Sequence, residues 1–305
     1  MDSIVSFVIV NWNRCNDLKE CLNSIQDQTY TNFEIIVVDN QSTDGSLKMV
    51  RNLFPKVKLI IMPDSFYGAC ETFNIGFSSS LGEYIAILDN DVIIPSNWVE
   101  KILNCFEMEP ATTALISSKV IEPGMPEDYL NSSELNSKKY IDTFVGCGSI
   151  AKSDLIKEVG YYDKNFFIHV NERDLALKLL NKGYRILHFP EAITFHKKEF
   201  GIHMGNRSLY YHIRNYIWVF IKHYSLKFIF LYLIGGFQMF IPVKLRNNKL
   251  SRNGILLGTA GLKDAILYNK GGKKTIIIAV IGAFFGIPYC IKKRRVCKSP
   301  DLRIP

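Results

Sequence analysis

The sequence predicts an α/β fold, a mostly parallel β-sheet flanked on both faces by helices. Short apolar runs alternate with amphipathic stretches over the first hundred residues, the order in which crossover helices join parallel strands. The runs are near-continuous in Val, Ile and Leu, as in strands covered on both sides. The first run ends in Asn11, the second in Asp39 and the fourth in Asp89. Polar side chains therefore collect at one sheet edge, where open α/β sheets take ligands.

Taken in order, Ser6–Asn11 reads as the first buried strand. The polar turn Asn13-Arg14-Cys15-Asn16 follows, with Asn16 as the cap of a helix whose apolar face is Leu18, Cys21, Leu22 and Ile25. Phe33–Val38 is the second strand, leading to Asp39-Asn40. The Ser42–Ser46 turn is rich in capping residues and opens a helix bearing Leu47, Val50 and Leu53. Val57–Met62 is the third strand, and Tyr67–Leu81 a helix stopped by Gly82. Tyr84–Leu88 is the fourth strand; Asp89-Asn90-Asp91 comes next, then a helix capped by Ser96.

Beyond it, Glu122–Glu134 contains Pro123, Gly124 and Pro126 and reads as a surface loop. Gly146, Gly148 and Ala151, with Glu172 further on, form a G-x-G-x-x-A dinucleotide fingerprint. The next helix starts only at Ser153-Asp154, too late for a phosphate turn, so the glycines are expected instead to allow close backbone approach. Asn171 is placed as the cap of a helix with Glu172 and Asp174 in its first turn, Leu175, Leu179 and Leu180 on its apolar face, and Gly183 at its end. Two short strands, Arg185–Phe189 and Ala192–His196, are separated by Pro190-Glu191.

Length and composition, 305 residues with 48% hydrophobic, leave ample material for a core. The net charge of +8 conceals an asymmetry: residues 205–305 carry 18 Lys/Arg and two Asp/Glu, residues 1–204 carry 19 and 27. Two regions are expected, 1–204 for ligand binding and 205–305 as a basic, apolar, helical region. The cysteines Cys15, Cys21, Cys70, Cys105, Cys147, Cys290 and Cys297 are odd in number and lack a C-x-x-C spacing. That fits reduced thiols in a cytosolic compartment better than disulfides or a zinc site. The N-terminus MDSIVSFVIVNWN has neither a positive n-region nor a cleavage site, so no signal peptide is expected.

Two carboxylates at the end of a buried strand, Asp89 and Asp91, are tolerated where they meet water, a cation or a polar ligand. They suit a divalent cation carrying a diphosphate; a solvated Asp-rich turn is the alternative. Glu172 and Asp174 suit either first-turn electrostatics or a general base that takes the proton of an attacking hydroxyl. His196 is a packed or solvated residue or a metal ligand.

Together the segments VIVNWNR (8–14), IIVVDNQSTDGS (35–46), NIGFSSSLGEYIAILDNDV (74–92), FVGCGSIAKSDLIKEVGYYDKNFF (144–167), ERDLALKLLNKGYRI (172–186) and PEAITFH (190–196) resemble one family in order and spacing. They are similar to the inverting GT-A family 2 nucleotide-sugar glycosyltransferases, in particular their bacterial rhamnosyltransferase-like branch. The resemblance covers about two thirds of the chain. It implies a GT-A catalytic region and a metal-dependent hexosyl- or rhamnosyltransferase using Mn²⁺ or Mg²⁺. Asn11, Asn13 and Asp39 would line the nucleoside pocket, with Asn40, Gly68, Asn74, Asp89 and Asn90 also contacting the donor. Asp89, Asp91 and His196 would form the metal site. The family's base motif reads E-D-x-D-L, whereas here it is Asn171-Glu172-Arg173-Asp174-Leu175. Aligning the Asp-Leu pair makes Glu172 the base, and Asp174 stays open as the alternative. This departure is the one feature favouring a non-catalytic scaffold of the same fold.

Tyr210–Phe220 resembles the family's post-catalytic helix. Phe228–Val243 and Thr275–Ile291 are uncharged apolar runs, the second followed by Lys292-Lys293-Arg294-Arg295. Both fall short of the roughly 20 residues of a spanning helix. They are expected to lie in the interface of an anionic membrane, at the cytoplasmic face; a buried helix pair is the structural alternative. Nucleic acid, the other partner that such charge suggests, fits poorly with apolar runs between the basic clusters. The family and this tail jointly imply a lipid-linked, polyprenyl-diphosphate saccharide acceptor.

Overall fold

The computed structural model describes residues 3–200, 205–226 and 269–302. Its first half is the expected alternation: β1 (Val5–Asn11), α1 (Cys15–Gln26), β2 (Phe33–Asp39), α2 (Ser46–Leu53), β3 (Lys58–Ile61), α3 (Ala69–Ser78) and β4 (Tyr84–Asp89). Then come β5 (Val92–Ile93), α4 (Trp98–Met108), β6 (Thr113–Ile121), α5 (Glu127–Leu130), α6 (Ser133–Asn136), β7 (Lys139–Ile141), β8 (Ser149–Lys152) and α7 (Ser153–Glu158). A 3-10 turn at Lys164–Phe166 precedes α8 (Asn171–Asn181), β9 (Arg185–His196), α9 (Asn206–His223), α10 (Gly272–Phe285) and α11 (Ile287–Lys292).

One sheet runs in the order β3-β2-β1-β4-β8-β6-β9-β5, with β7 paired to β9. The β3-β2-β1-β4 half is parallel, and β8 is antiparallel to both β4 and β6. Alternate side chains of each central strand enter different cores. Phe7, Ile9, Val37 and Leu88 pack with Leu22 of α1, Val50 of α2 and Trp98 and Ile102 of α4. Val8, Val38 and Ile87 pack with Phe73 and Phe77 of α3, Leu175 and Leu179 of α8, and Trp218 and Val219 of α9. Two-sided burial is the reason the strands are apolar throughout.

Local punctuation differs from expectation in several places. Helix α1 begins at Cys15, so Asn16 lies inside it; the Asp44 carboxylate accepts from the Cys15 N–H instead, at 2.8 Å. Helix α4 follows Asn97 rather than Ser96, and Asn171 is the first residue of α8 rather than its cap. The segment 122–134 holds α5 and buries Tyr129, which stacks on Phe200. Arg185–His196 is one strand; Pro190-Glu191 falls at a register shift, with Phe189 opposite Ser118 and Ile193 opposite Lys119. A bulge absorbs the proline without ending the strand.

The described part of the 205–305 region joins the same core. Leu209, Trp218 and Val219 of α9 are buried, as are Ala283 of α10 and Cys290 of α11. Among the described residues no helix is long and apolar enough to cross a membrane. The run Phe228–Val243 lies outside the described residues.

Candidate active site

Strand register assembles the site. Asn11 is opposite Asp39, and Val10 opposite Asp89, so the three strand ends predicted to meet stand side by side. The Asn11 amide donates to Asp39 at 2.7 Å and accepts from the Asn90 amide at 2.7 Å. Asp39 also accepts from the Ser42 N–H at 2.6 Å. Asn13, at φ 52°, accepts from the Thr43 N–H at 2.8 Å and so ties the turn after β2 to the end of β1. Asn40 donates to the Tyr67 carbonyl at 3.0 Å, which fixes its amide orientation; its buried Oδ1 has no hydrogen-bond partner.

Antiparallel pairing of β5 with β9 sets His196 opposite Val92, one residue from Asp91. Parallel pairing of β6 with β9 sets Ile121 opposite Phe195 and brings Glu122 alongside. The result is an imidazole clamped on both sides: His196 Nε2 is 3.2 Å from Asp91 and Nδ1 is 2.7 Å from Glu122. Burial disfavours the charged ring, but the hydrogen bonds to Asp91 and Glu122 outweigh it and hold the imidazolium up to about 10. Asp91 goes the other way: burial raises it, and the His196 contact brings it below the usual carboxylate range. Asp89 is pushed up to about 6 by burial and by the Asp91 charge.

These residues fit a divalent cation. Oxygen, sulfur and nitrogen donor atoms of Asp89, Cys147 and His196 lie within 4.8 Å of one another, and Asp91 adjoins through His196. The Asp91 charge adds to the cost of ionising Asp89, which a cation relieves. Glu122 orients the ring from the far side, as the outer partner of a metal-bound histidine commonly does.

The loop before β8 forms the floor. Ser149 lies opposite Ile87 of β4, so the residues just ahead of Ser149 arrive beside the Asp89 end of that strand. The glycines there pack closely: a Cβ on Gly146 would stand 2.6 Å from Glu172 Oε1, and one on Gly148 would stand 2.5 Å from Thr194 Oγ1. The loop leads into a strand, not a helix, so the G-x-G-x-x-A match builds no dinucleotide turn.

Glu172 and Asp174 sit in the same helical turn and differ completely in environment. Glu172 keeps some exposure and is raised to about 7, by burial first and by the nearby Asp89 charge, against hydrogen bonds from its own backbone and Asn171. Asp174 is fully enclosed, 2.6 Å from Lys222, 2.9 Å from His223 and 3.6 Å from Lys178. Burial alone would raise its pKa; the His223 hydrogen bond and the two ammonium groups hold it far below the usual range. A sealed, low-pKa carboxylate is a poor proton acceptor; of the two, Glu172 has the environment that suits one.

Asn74 and Gly68, expected at the donor, make contacts within the protein. Asn74 gives its amide to the Tyr162 carbonyl at 2.8 Å and accepts the Tyr162 N–H at 3.0 Å, so its polar atoms are spent on the backbone. Gly68 packs against Phe167, where a Cβ would meet the carbonyl oxygen at 2.5 Å. Glu122, Arg14 and Cys147 join the site without having been singled out by the sequence. Arg14 reaches Asp91 at 3.7 Å. Nothing in local spacing marks Glu122 or Cys147; only the position of Cys147 between two glycines hinted at close packing.

The profile of Glycosyl transferase family 2 matches residues 6–169. Glycosyltransferase GlyG of Streptococcus pneumoniae is 35% identical over 104 residues, 33% of this chain and 35% of that protein. The matches span about a third of the length of the first such relatives. Mannosyltransferase PcManGT of Pyrobaculum calidifontis, solved with GDP-Man and Mn²⁺, superposes with a TM-score of 0.55 at 16% identity, over 93% of this chain and 75% of that one. GalNAc-T7, solved with UDP, GalNAc and Mn²⁺, gives 0.61 at 16% identity over 87% and 58%. At such identities the likeness is one of fold.

Proposed function

The chain belongs to glycosyl transferase family 2, and we propose that it moves a hexosyl or rhamnosyl unit, with inversion, from a nucleoside-diphosphate sugar to a hydroxyl of a lipid-linked or cell-envelope saccharide. The observation that carries this reading is the meeting of a cation-type donor set with a separately held, solvent-reachable base. Gly146 lies against the Glu172 carboxyl, and Cys147, the next residue, reaches Asp89 and His196.

Asp39, Asn11 and the open acceptor of Asn40 hold the nucleoside end of the donor. A divalent cation, Mn²⁺ or Mg²⁺ by analogy with the Mn²⁺-bound fold relatives, would lie among Asp89, Asp91 and His196, carry the diphosphate and offset the charge that develops as it leaves. Glu172 takes the proton from the acceptor hydroxyl as that oxygen attacks the anomeric carbon. Attack from the face opposite the leaving group inverts the centre in a single displacement. The Lys/Arg-rich C-terminal region, with the exposed apolar face of α10, supports an acceptor held on a polyprenyl diphosphate at the cytoplasmic face of a membrane.

The test is a donor screen with Mn²⁺ followed by Glu172→Gln. The variant is expected to bind the selected sugar nucleotide as wild type does by calorimetry, while transfer falls by about 10²–10⁴-fold. Undiminished transfer would remove Glu172 from the mechanism. Sugar nucleotides that neither bind nor react under any cation would favour the non-catalytic scaffold.

A further inference from the structure

Cys147 is buried between two glycines that are themselves pinned. The Gly148 carbonyl accepts from both the N–H and the hydroxyl of Ser118, each at 2.8 Å. Gly146 is backed by Glu172. The loop between them presents the Cys147 sulfur to Asp89 and His196, with the three donor atoms inside 4.8 Å. Hard cations such as Mg²⁺ favour all-oxygen surroundings, whereas sulfur with imidazole favours softer ions.

We propose that the Cys147 sulfur is a ligand of the cation held by Asp89 and His196, and that this site takes the thiophilic ions Zn²⁺, Co²⁺ and Cd²⁺ in preference to Mg²⁺. The inference rests on the cation-site reading above and specifies which cations it admits. On binding, bonds from the metal to the Cys147 sulfur and to a His196 ring nitrogen replace an S–H and an N–H bond, and both protons leave to solvent. Cys21 provides an internal contrast. It too is buried near Asp89, but its thiol meets the Asp89 main-chain carbonyl at 3.6 Å, behind the strand rather than in the donor cluster.

The full-length protein titrated with Cd²⁺ tests the assignment. Wild type is expected to develop an ultraviolet sulfur-to-cadmium charge-transfer band saturating at one equivalent. Cys147→Ser should lose the band and bind Cd²⁺ about 10- to 100-fold more weakly, while Cys21→Ser keeps it. If Cys147→Ser does not fold, Cys147→Ala serves, checked by thermal unfolding. Zn²⁺ and Co²⁺ should raise the wild-type melting temperature more than Mg²⁺ at equal concentration. Stoichiometric Cd²⁺ binding without the band, or a band that survives in the Cys147 variants, would overturn the ligand assignment and leave the cation site standing. Failure of every divalent cation to bind or stabilise wild type would overturn the cation site itself.

Discussion

At Glu172 the burial that strengthens a base also works against the fold. Its carboxyl is raised to about 7, so the proton-accepting form grows as pH climbs through neutrality. The profile of kcat/KM, which reports the free enzyme, is expected to rise with an inflection near 7 and then level. The stability consequence has the opposite sign. A carboxylate whose folded pKa is raised binds its proton more tightly when folded, so that contribution is present at low pH and is lost as pH rises from the ordinary glutamate range through 7. Glu172→Gln should therefore melt above wild type at about pH 8 and converge with it near about pH 5. A variant that melts lower at both would show that the side chain is structural. Gly146→Ala is the complementary change. Its methyl would press on the Glu172 carboxyl, and turnover should fall with donor affinity retained. At this scale the sequence was legible in placement: Asn11, Asp39 and Asp89 stand at neighbouring strand ends as expected. It was illegible where a partner comes from afar: Asp174 and Glu172 look alike until Lys222 and His223, almost fifty residues on, seal one and leave the other open.

The elements explain why Glu172 stands where it does. The chain entering α8 has positive φ at Phe167, His169 and Val170, of 67°, 66° and 63°. That conformation is costly for a β-branched residue such as Val170 and persists only where surroundings impose it. Helix α9 imposes it. The fully buried Asn215 amide faces the carbonyls of Phe166, Ile168 and His169 at 3.0, 2.8 and 2.8 Å, and Arg214 donates to the Phe166 carbonyl at 3.0 Å. Asn215→Leu should destabilise the protein by about 1–3 kcal/mol for each carbonyl left without a partner, read by denaturant melts. If the clamp positions the base, kcat falls while donor KM holds; a fall in stability with unchanged kcat would confine Asn215 to folding. The strands were readable from apolar runs to within a few residues. Helix starts were not, because α1 draws its cap from Asp44 in a different loop. The continuous β9 was hidden because a bulge accommodates Pro190.

Asp39 and Asp89 stand at the carboxyl ends of β2 and β4, on either side of β1. Helix α10, packed on α9, turns its small residues inward: Ala279 and Ala283 are buried, and Gly282 lies against Tyr210. Its large residues face out, with Ile277 61%, Ile281 50%, Phe284 69% and Phe285 78% exposed. Single exposed apolar side chains are ordinary, but a contiguous row of them marks an interaction surface. Lys273 and Lys274 stand at the start of this helix, and Lys292 to Arg295 follow at the end of α11. Apolar residues bracketed by cations match a bilayer interface with anionic headgroups, each basic residue near such a surface adding about 1 kcal/mol. A buried protein interface would not need the flanking charge. The sequence showed the runs and their brackets; it could not show that the small residues would be the ones taken into the core. Vesicles of phosphatidylglycerol and phosphatidylcholine separate the contributions. The protein should cosediment with the anionic vesicles, less so as salt rises, and weakly with the zwitterionic ones. Ile281→Asp combined with Phe284→Asp should abolish cosedimentation without altering nucleotide-sugar binding, because both positions lie on the outward face of α10. Equal sedimentation of wild type and variant would remove α10 from the membrane contact. A wild type that ignores the vesicles but self-associates through this face in light scattering would make it a contact between copies of the chain.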